Sequence, residues 1–270
     1  MLLAAAFLAL SQAAAAPAPP LAQHLVTRPH LFALPDGAVG YIPASASPHP
    51  PLLVLLHGAG HEQATMVEHF EAEADQRGLV LLAPDSRGVT WDKVLDAEAP
   101  LSVDSPITNA QSHSFSRSPD ADRVEKAIAD LAKILPVDRT HTVLAGFSDG
   151  ATFALAMGMS RDHPFAAVIA WSPGIAIRTL SPARGRRVYI SHGRADPLLR
   201  FDTTCNDIVP LVKSEGGEVT FLPFDGGHVA PVWVKDSFLD AVFGKVAGSQ
   251  ARPVPAEATA CVGGRAETPM

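Results

Sequence analysis

Short apolar runs punctuate this chain at residues 52–56, 79–83, 142–145, 165–171, 187–191 and 218–224. Each is too short for a well-formed helix and is bounded by proline, glycine or polar residues. Continuous apolarity over such a length predicts strands buried on both faces, as in a parallel sheet. The segments between them carry a different period. Over residues 120–135, Val124, Ile128, Leu131 and Leu135 recur on one helical face, opened by Pro119-Asp120 and stopped by Pro136. Residues 66–76 read as a helix closed by Gly78, and helices are also expected after Gly150, over 202–215 and over 232–246. Asp36-Gly37 between two apolar stretches predicts a β-hairpin. Strands alternating with helices give an α/β fold class: a mostly parallel, doubly wound sheet with helices on both faces. Residues 86–119 break the pattern, with no sustained period and many Ser, Pro and Asp.

The two ends lie outside this alternation. Residues 1–22 carry no charge and combine an apolar run at 2–10 with an alanine tract at 13–16, which predicts a secretory signal and an exported protein, periplasmic or secreted. The run is too short to span a bilayer, so no stable membrane insertion is expected after its removal. Residues 23–247 then form one folded domain, and 248–270, rich in Ala and Pro, a loose tail.

Composition narrows the function classes. Apolar residues make up 47% and charged residues 18%, which is globular. The net charge is −7 and no basic stripe occurs, so no nucleic-acid partner is expected; Arg184-Gly185-Arg186-Arg187 reads as a solvated loop. Two cysteines are too few for a disulfide scaffold, and neither sits in C-x-x-C, which argues against zinc. With export, the even count predicts a Cys205–Cys261 disulfide.

Candidate chemistry centres on Gly146-Phe147-Ser148-Asp149-Gly150. An apolar strand precedes it and a good helix former follows. This is the G-x-S-x-G nucleophile elbow, in which a sharp turn lifts the serine hydroxyl clear of the sheet. Ser148 needs a base, because a free hydroxyl is a poor nucleophile at neutral pH. Of eleven histidines, His228 stands at the end of a late strand beside Gly226-Gly227. The base needs a carboxylate, and Asp196 in His192-Gly193-Arg194-Ala195-Asp196-Pro197 is the candidate. Asp202 is second, since it is expected to cap a helix. The order Ser, Asp, His along the chain is the one this motif brings with it.

An oxyanion would take the backbone N–H of Asp149 and that of Ala59, in the loop His57-Gly58-Ala59-Gly60 after the first buried strand. His57, Gly58 and Gly60, with Trp91 and Trp171, are the candidate substrate contacts. His57, His61, Glu62 and His69 lack the H-E-x-x-H spacing of a metal site. Asp92 and Asp104 lie in the irregular segment and are expected to be solvated.

Together, Leu55-Leu56-His57-Gly58-Ala59-Gly60, Asp85-Ser86-Arg87-Gly88 with Trp91-Asp92, the elbow, the Asp196 motif and Phe224-Asp225-Gly226-Gly227-His228 resemble the α/β-hydrolase superfamily. They are most similar to phospholipase/carboxylesterase and poly(3-hydroxybutyrate)-depolymerase-like esterases, over about residues 31–245. The resemblance implies a serine esterase acting on small-molecule carboxylic esters, with no metal or organic cofactor. A thioesterase or polyester depolymerase would use the same residues, and a non-catalytic binding protein is the alternative of another class. The polar segment 96–118 departs from the family. Residues 91–118 leave the sheet on the Ser148 side and are expected to cover the site. Pro100 and Pro106 interrupt any amphipathic lid helix, which predicts short acyl chains without interfacial activation.

Overall fold

The computed structural model describes residues 30–60, 63–98, 114–115 and 117–253. The expected signal segment, Asp104 and Cys261 lie outside the described residues, as does most of the segment expected to cover the site. Among the described residues, no helix is long and apolar enough to cross a membrane.

Among the described residues, ten strands and eight α-helices carry the chain. β1 (Leu31–Ala33) and β2 (Val39–Tyr41) form the hairpin about Asp36-Gly37. β3 (Pro51–Leu56) is followed by α1 (Gln63–Glu68), α2 (Glu71–Arg77), β4 (Val80–Ala83) and α3 (Asp92–Glu98). Then come β5 (Ser114–Phe115), α4 (Pro119–Ile134), β6 (Asp138–Phe147), α5 (Asp149–Gly158) and β7 (Ala167–Trp171). β8 (Arg178–Thr179) and β9 (Arg187–Gly193) lead to α6 (Phe201–Thr203), a π-helical turn (Thr204–Ile208) and α7 (Val209–Ser214). β10 (Glu218–Phe224) and α8 (Val232–Phe243) complete it.

Eight strands form one sheet in the order β1-β2-β4-β3-β6-β7-β9-β10. β2 is antiparallel to both neighbours, and every pairing from β4 to β10 is parallel. The apolar runs are continuous because both faces are buried. Leu52, Val54 and Leu56 of β3 point into one core layer with α4 and α5. Leu53 and Leu55 point into the other with α1, α2 and α8. One irregularity interrupts the ladder. Pro51 stands opposite Asp138, yet Leu52 stands opposite Thr142, so exposed Arg139, Thr140 and His141 bulge out of register.

Local chemistry sets several element ends. Ser118 caps α4 by accepting from Ala121 N–H at 3.0 Å, with Pro119 in the first turn. Gly78 closes α2 in the left-handed conformation at φ 64°.

Four expectations need correction. The helix expected over 66–76 is two helices, broken at His69-Phe70 where Phe70 turns in to pack on Trp171 at 5.1 Å between ring centroids. Asp92 is not solvated: it begins α3, and its carboxylate accepts the Ser118 hydroxyl at 2.7 Å. Arg200, not Asp202, is the cap residue of α6. Residues 248–253 are held to α8, since Gln250 N–H and Arg252 N–H donate to Asp236 and Ser237 and the Arg252 guanidinium lies over Trp233.

Candidate active site

β6 delivers Ser148 at its carboxyl end, and α5 starts one residue later. Packing forces the turn to be tight. A Cβ on Gly146 would lie 2.2 Å from Gly150 O, and one on Gly150 would lie 2.2 Å from Leu56 O. Only hydrogen fits at either place, so α5 docks directly onto β3 and β6. Ser148 between them sits at φ 58°, ψ −122°, a conformation an L-residue adopts only when its surroundings impose it. The Asp149 N–H is the first of α5 and lacks an intrahelical acceptor.

The β3 loop faces this turn. A Cβ on Gly58 would approach Ser148 Cβ to 3.3 Å. Ala59 N–H makes no backbone hydrogen bond among the described residues, whereas Gly60 N–H donates to Val89 O at 2.7 Å. The loop is braced from behind. Trp91 Nε1–H donates to His57 O at 2.8 Å, and His57 Nε2 accepts from Ser86 N–H at 3.2 Å. The His57 ring therefore carries its proton on Nδ1, which faces Gly58 O. Both rings are fully buried and meet at a tilt of 34°, with centroids 4.8 Å apart. This corrects the reading of His57 and Trp91 as substrate contacts: they shape the loop from its inner side.

β9 ends at Gly193 and β10 at Phe224, so their following loops lie side by side. His228 Nδ1–H donates to Asp196 Oδ2 at 2.7 Å. Asp196 Oδ1 accepts Leu198 N–H and Leu199 N–H, each at 2.9 Å. Burial pushes the Asp196 carboxyl up. The Leu199 N–H, the hydrogen bond and charge of His228, and the Leu198 N–H together outweigh it and hold the group below the usual aspartate range. Asp202 is exposed and faces Arg200 at 3.6 Å.

A cavity of about 390 Å³ opens between these parts. Its lining includes Gly58, Phe147, Trp171 and His228, with Met66 of α1 and Phe70 of the break that follows it. The Phe147 ring packs against His228 at 4.7 Å. Of the expected substrate contacts, Gly58 and Trp171 border this cavity, and Gly60 instead holds the loop to Val89. Among the described residues, no cluster of His, Cys, Asp or Glu has metal-holding geometry. His61 and Glu62 lie outside the described residues.

Three groups escaped the reading of the sequence. His192 and the N–H groups of Leu198-Leu199 surround Asp196, and Thr204 stands behind His192. Only His192 left a signal, as a histidine at a strand end within the acid motif. Cys205, next to Thr204, is buried and disulfide-bonded, and the sequence holds one other cysteine, Cys261.

The site brings an elbow serine, the glycine loop after β3 and an imidazole bonded to a carboxylate to neighbouring strand ends. The family profile for phospholipase/carboxylesterase matches residues 39–231. Esterase PE8 is similar in structure, with a TM-score of 0.56 and 20% identity over 78% of this chain and 100% of that one. The acetyl xylan esterase from Aspergillus awamori gives 0.57 and 14%, over 76% and 92%. Thermogutta terrifontis esterase 2 phosphorylated by paraoxon gives 0.54 and 20%, over 81% and 96%. At these identities the likeness is one of fold. No curated protein matches the sequence.

Proposed function

Because the chain belongs to the phospholipase/carboxylesterase family, we propose that it is a serine esterase working through an acyl-enzyme. One observation carries this reading: strained Ser148 lies between Phe147 and the Gly58 loop, which line one cavity with His228, and His228 Nδ1–H is held by Asp196 at 2.7 Å. Ser148 Oγ attacks the ester carbonyl carbon while His228 Nε2 takes its proton. Asp196 keeps the imidazole in the tautomer whose Nε2 is bare and stabilises the cation that forms. Charge developing on the carbonyl oxygen falls to Ala59 N–H and Asp149 N–H. The leaving alcohol takes the proton from Nε2, and water repeats the sequence to release the acid.

The cavity bears on substrate size. At about 30 Å³ per water-sized group, roughly a dozen heavy atoms fill it, and Phe70, Phe147, Trp171 and Met66 make it apolar. Small esters with a short to medium acyl or alkyl group suit it. Export is part of the proposal, since a disulfide at Cys205 suits an oxidising compartment.

A series of p-nitrophenyl esters from acetate to laurate, run on wild type and Ser148→Ala, tests the activity. Paraoxon labelling tests the nucleophile: a phosphoryl adduct is expected on Ser148. Hydrolysis unchanged in Ser148→Ala, or no adduct on an intact protein, would end the reading.

A further inference from the structure

We propose that His192 is a positioning residue for the catalytic carboxylate, acting as a second imidazole on Asp196 whose orientation is set by the Thr204 hydroxyl. The inference rests on the serine-esterase reading of this site. His192 is the penultimate residue of β9, just before Gly193, and is completely buried. Its Nε2 lies 3.2 Å from Asp196 Oδ2, the same oxygen that receives His228 Nδ1–H, and 3.0 Å from Leu199 O. Both neighbours are acceptors, so Nε2 carries a proton and shares it between them.

The other ring nitrogen then decides the charge. Burial pushes the His192 pKa down, against Leu199 O and Asp196, with the His228 charge adding to the fall. A neutral ring protonated on Nε2 has a bare Nδ1 that needs a donor. The Thr204 hydroxyl stands 2.7 Å away and also 2.9 Å from Pro173 O. Its single proton serves one of them: a ring protonated on Nε2 alone takes it at Nδ1, the shorter of the two contacts, in place of the donation to Pro173 O. The hydrogen-bond chain therefore runs Thr204 to His192 to Asp196, with His228 meeting the same carboxylate oxygen from the other side.

Two consequences follow for the site. Asp196 gains a further donor that fixes the rotation of its carboxyl group, so Oδ2 stays aimed at His228. Leu199 O is tied to the same ring, which closes the loop from Gly193 to Leu199 around the carboxylate. The groups with charge or titratable protons facing His192 are Asp196 and His228, and the apolar Phe201 ring packs edge-on at 6.0 Å. Thr204 stands in the π-helical turn beside disulfide-bonded Cys205, so the same turn that takes the covalent anchor presents the hydroxyl. A π turn inserted into a helix commonly marks a functional position.

The test uses the full-length protein with His192→Gln and Thr204→Val, both close in volume to the original side chains. Each is expected to lower kcat on the order of tenfold to a hundredfold, the scale of a small misplacement in a reacting group, with KM within twofold. The acidic limb of the kcat/KM profile is expected to move, because Asp196 then holds His228 less well. The double variant is expected to lose no more than the worse single variant, since both act through one chain of bonds. Paraoxon labelling of Ser148 in wild type separates this test from failure of the serine-esterase reading. Wild-type kcat and pH profile in folded His192→Gln would overturn the proposal. A loss with an unmoved pH profile and a lowered Tm would overturn it too, by making His192 merely structural. If His192→Gln does not fold, Thr204→Val decides alone by the same criteria.

Discussion

Gly193 and Gly226 meet backbone against backbone: a Cβ on Gly193 would lie 2.3 Å from Gly226 O, and equally close to Gly227 O. The loop bearing Asp196 and the loop bearing His228 are thus in contact with nothing between them, which sets the 2.7 Å Asp196–His228 bond. Gly193→Ala must push the loops apart. The expected result is a loss of stability of about 1–3 kcal/mol and a larger loss of kcat than of Tm. Urea unfolding together with ester hydrolysis measures both, and wild-type values in each would contradict the fit.

Ser148 separates strain from chemistry. Alanine keeps the Cβ and so keeps the cost of φ 58°; glycine removes it. Both Ser148→Ala and Ser148→Gly are expected to lose about 10⁶-fold in kcat. The glycine variant is expected to be the more stable of the two by about 1 kcal/mol. Equal unfolding midpoints would mean that the elbow stores no strain.

The two candidate acids are distinguished by burial. Asp196→Asn favours the wrong tautomer of His228 and is expected to cost about 10⁴-fold. Exposed Asp202, which faces Arg200, is expected to tolerate Asn with little change. A larger loss at Asp202 would reverse the assignment.

Cavity size is open to direct alteration at Ala230, which lines it next to Val229 and His228. Ala230→Phe occupies space that a longer acyl or alkyl group needs. Activity on the acetate ester is expected to persist while that on longer esters falls, shortening the optimum. A uniform fall across all chain lengths would show that substrate does not use this cavity.

Stability against pH carries a signature of His192. Its pKa is lowered by burial from the ordinary 6.5, so the native state refuses a proton that the unfolded chain accepts. The unfolded state binds more protons below about pH 6.5, and stability there falls as pH falls. Asp138 acts lower down. Hydrogen bonds from the Thr140 hydroxyl and His141 bring it to about 2, so its contribution is lost as pH drops from about 3.8 toward 2. Asp120 and Glu215, raised by burial, work in the opposite direction just above their ordinary values. Urea midpoints from pH 7 to 5 are therefore expected to slope downward in wild type and to flatten in His192→Gln. Parallel curves would exclude a neutral His192.

Much of this was legible in the residues because burial on both faces leaves a plain trace. The runs at 52–56 and 79–83 could be strands of little else than a covered parallel sheet, and the elbow announces its own geometry. The substrate side was less legible. His57 and Trp91 stand in motifs that suggest contact, yet which side of a loop a ring occupies is fixed by Ser86 and Phe153 from distant parts of the chain. The α1–α2 break likewise depends on Trp171 receiving Phe70. The π-helical turn at Thr204–Ile208 has no periodic signature in five residues.

The out-of-register residues Arg139, Thr140 and His141 give β6 slack at its entrance. In a paired strand, an added residue reverses which side chains face each layer. Here any such change can be taken up in three exposed positions that β3 does not pair with. From Thr142 onward the ladder is locked, with Leu56 opposite Gly146. The height at which Ser148 emerges is thereby insulated from the length of whatever joins α4 to β6. That connection is free to drift in sequence and size while the nucleophile stays where it is.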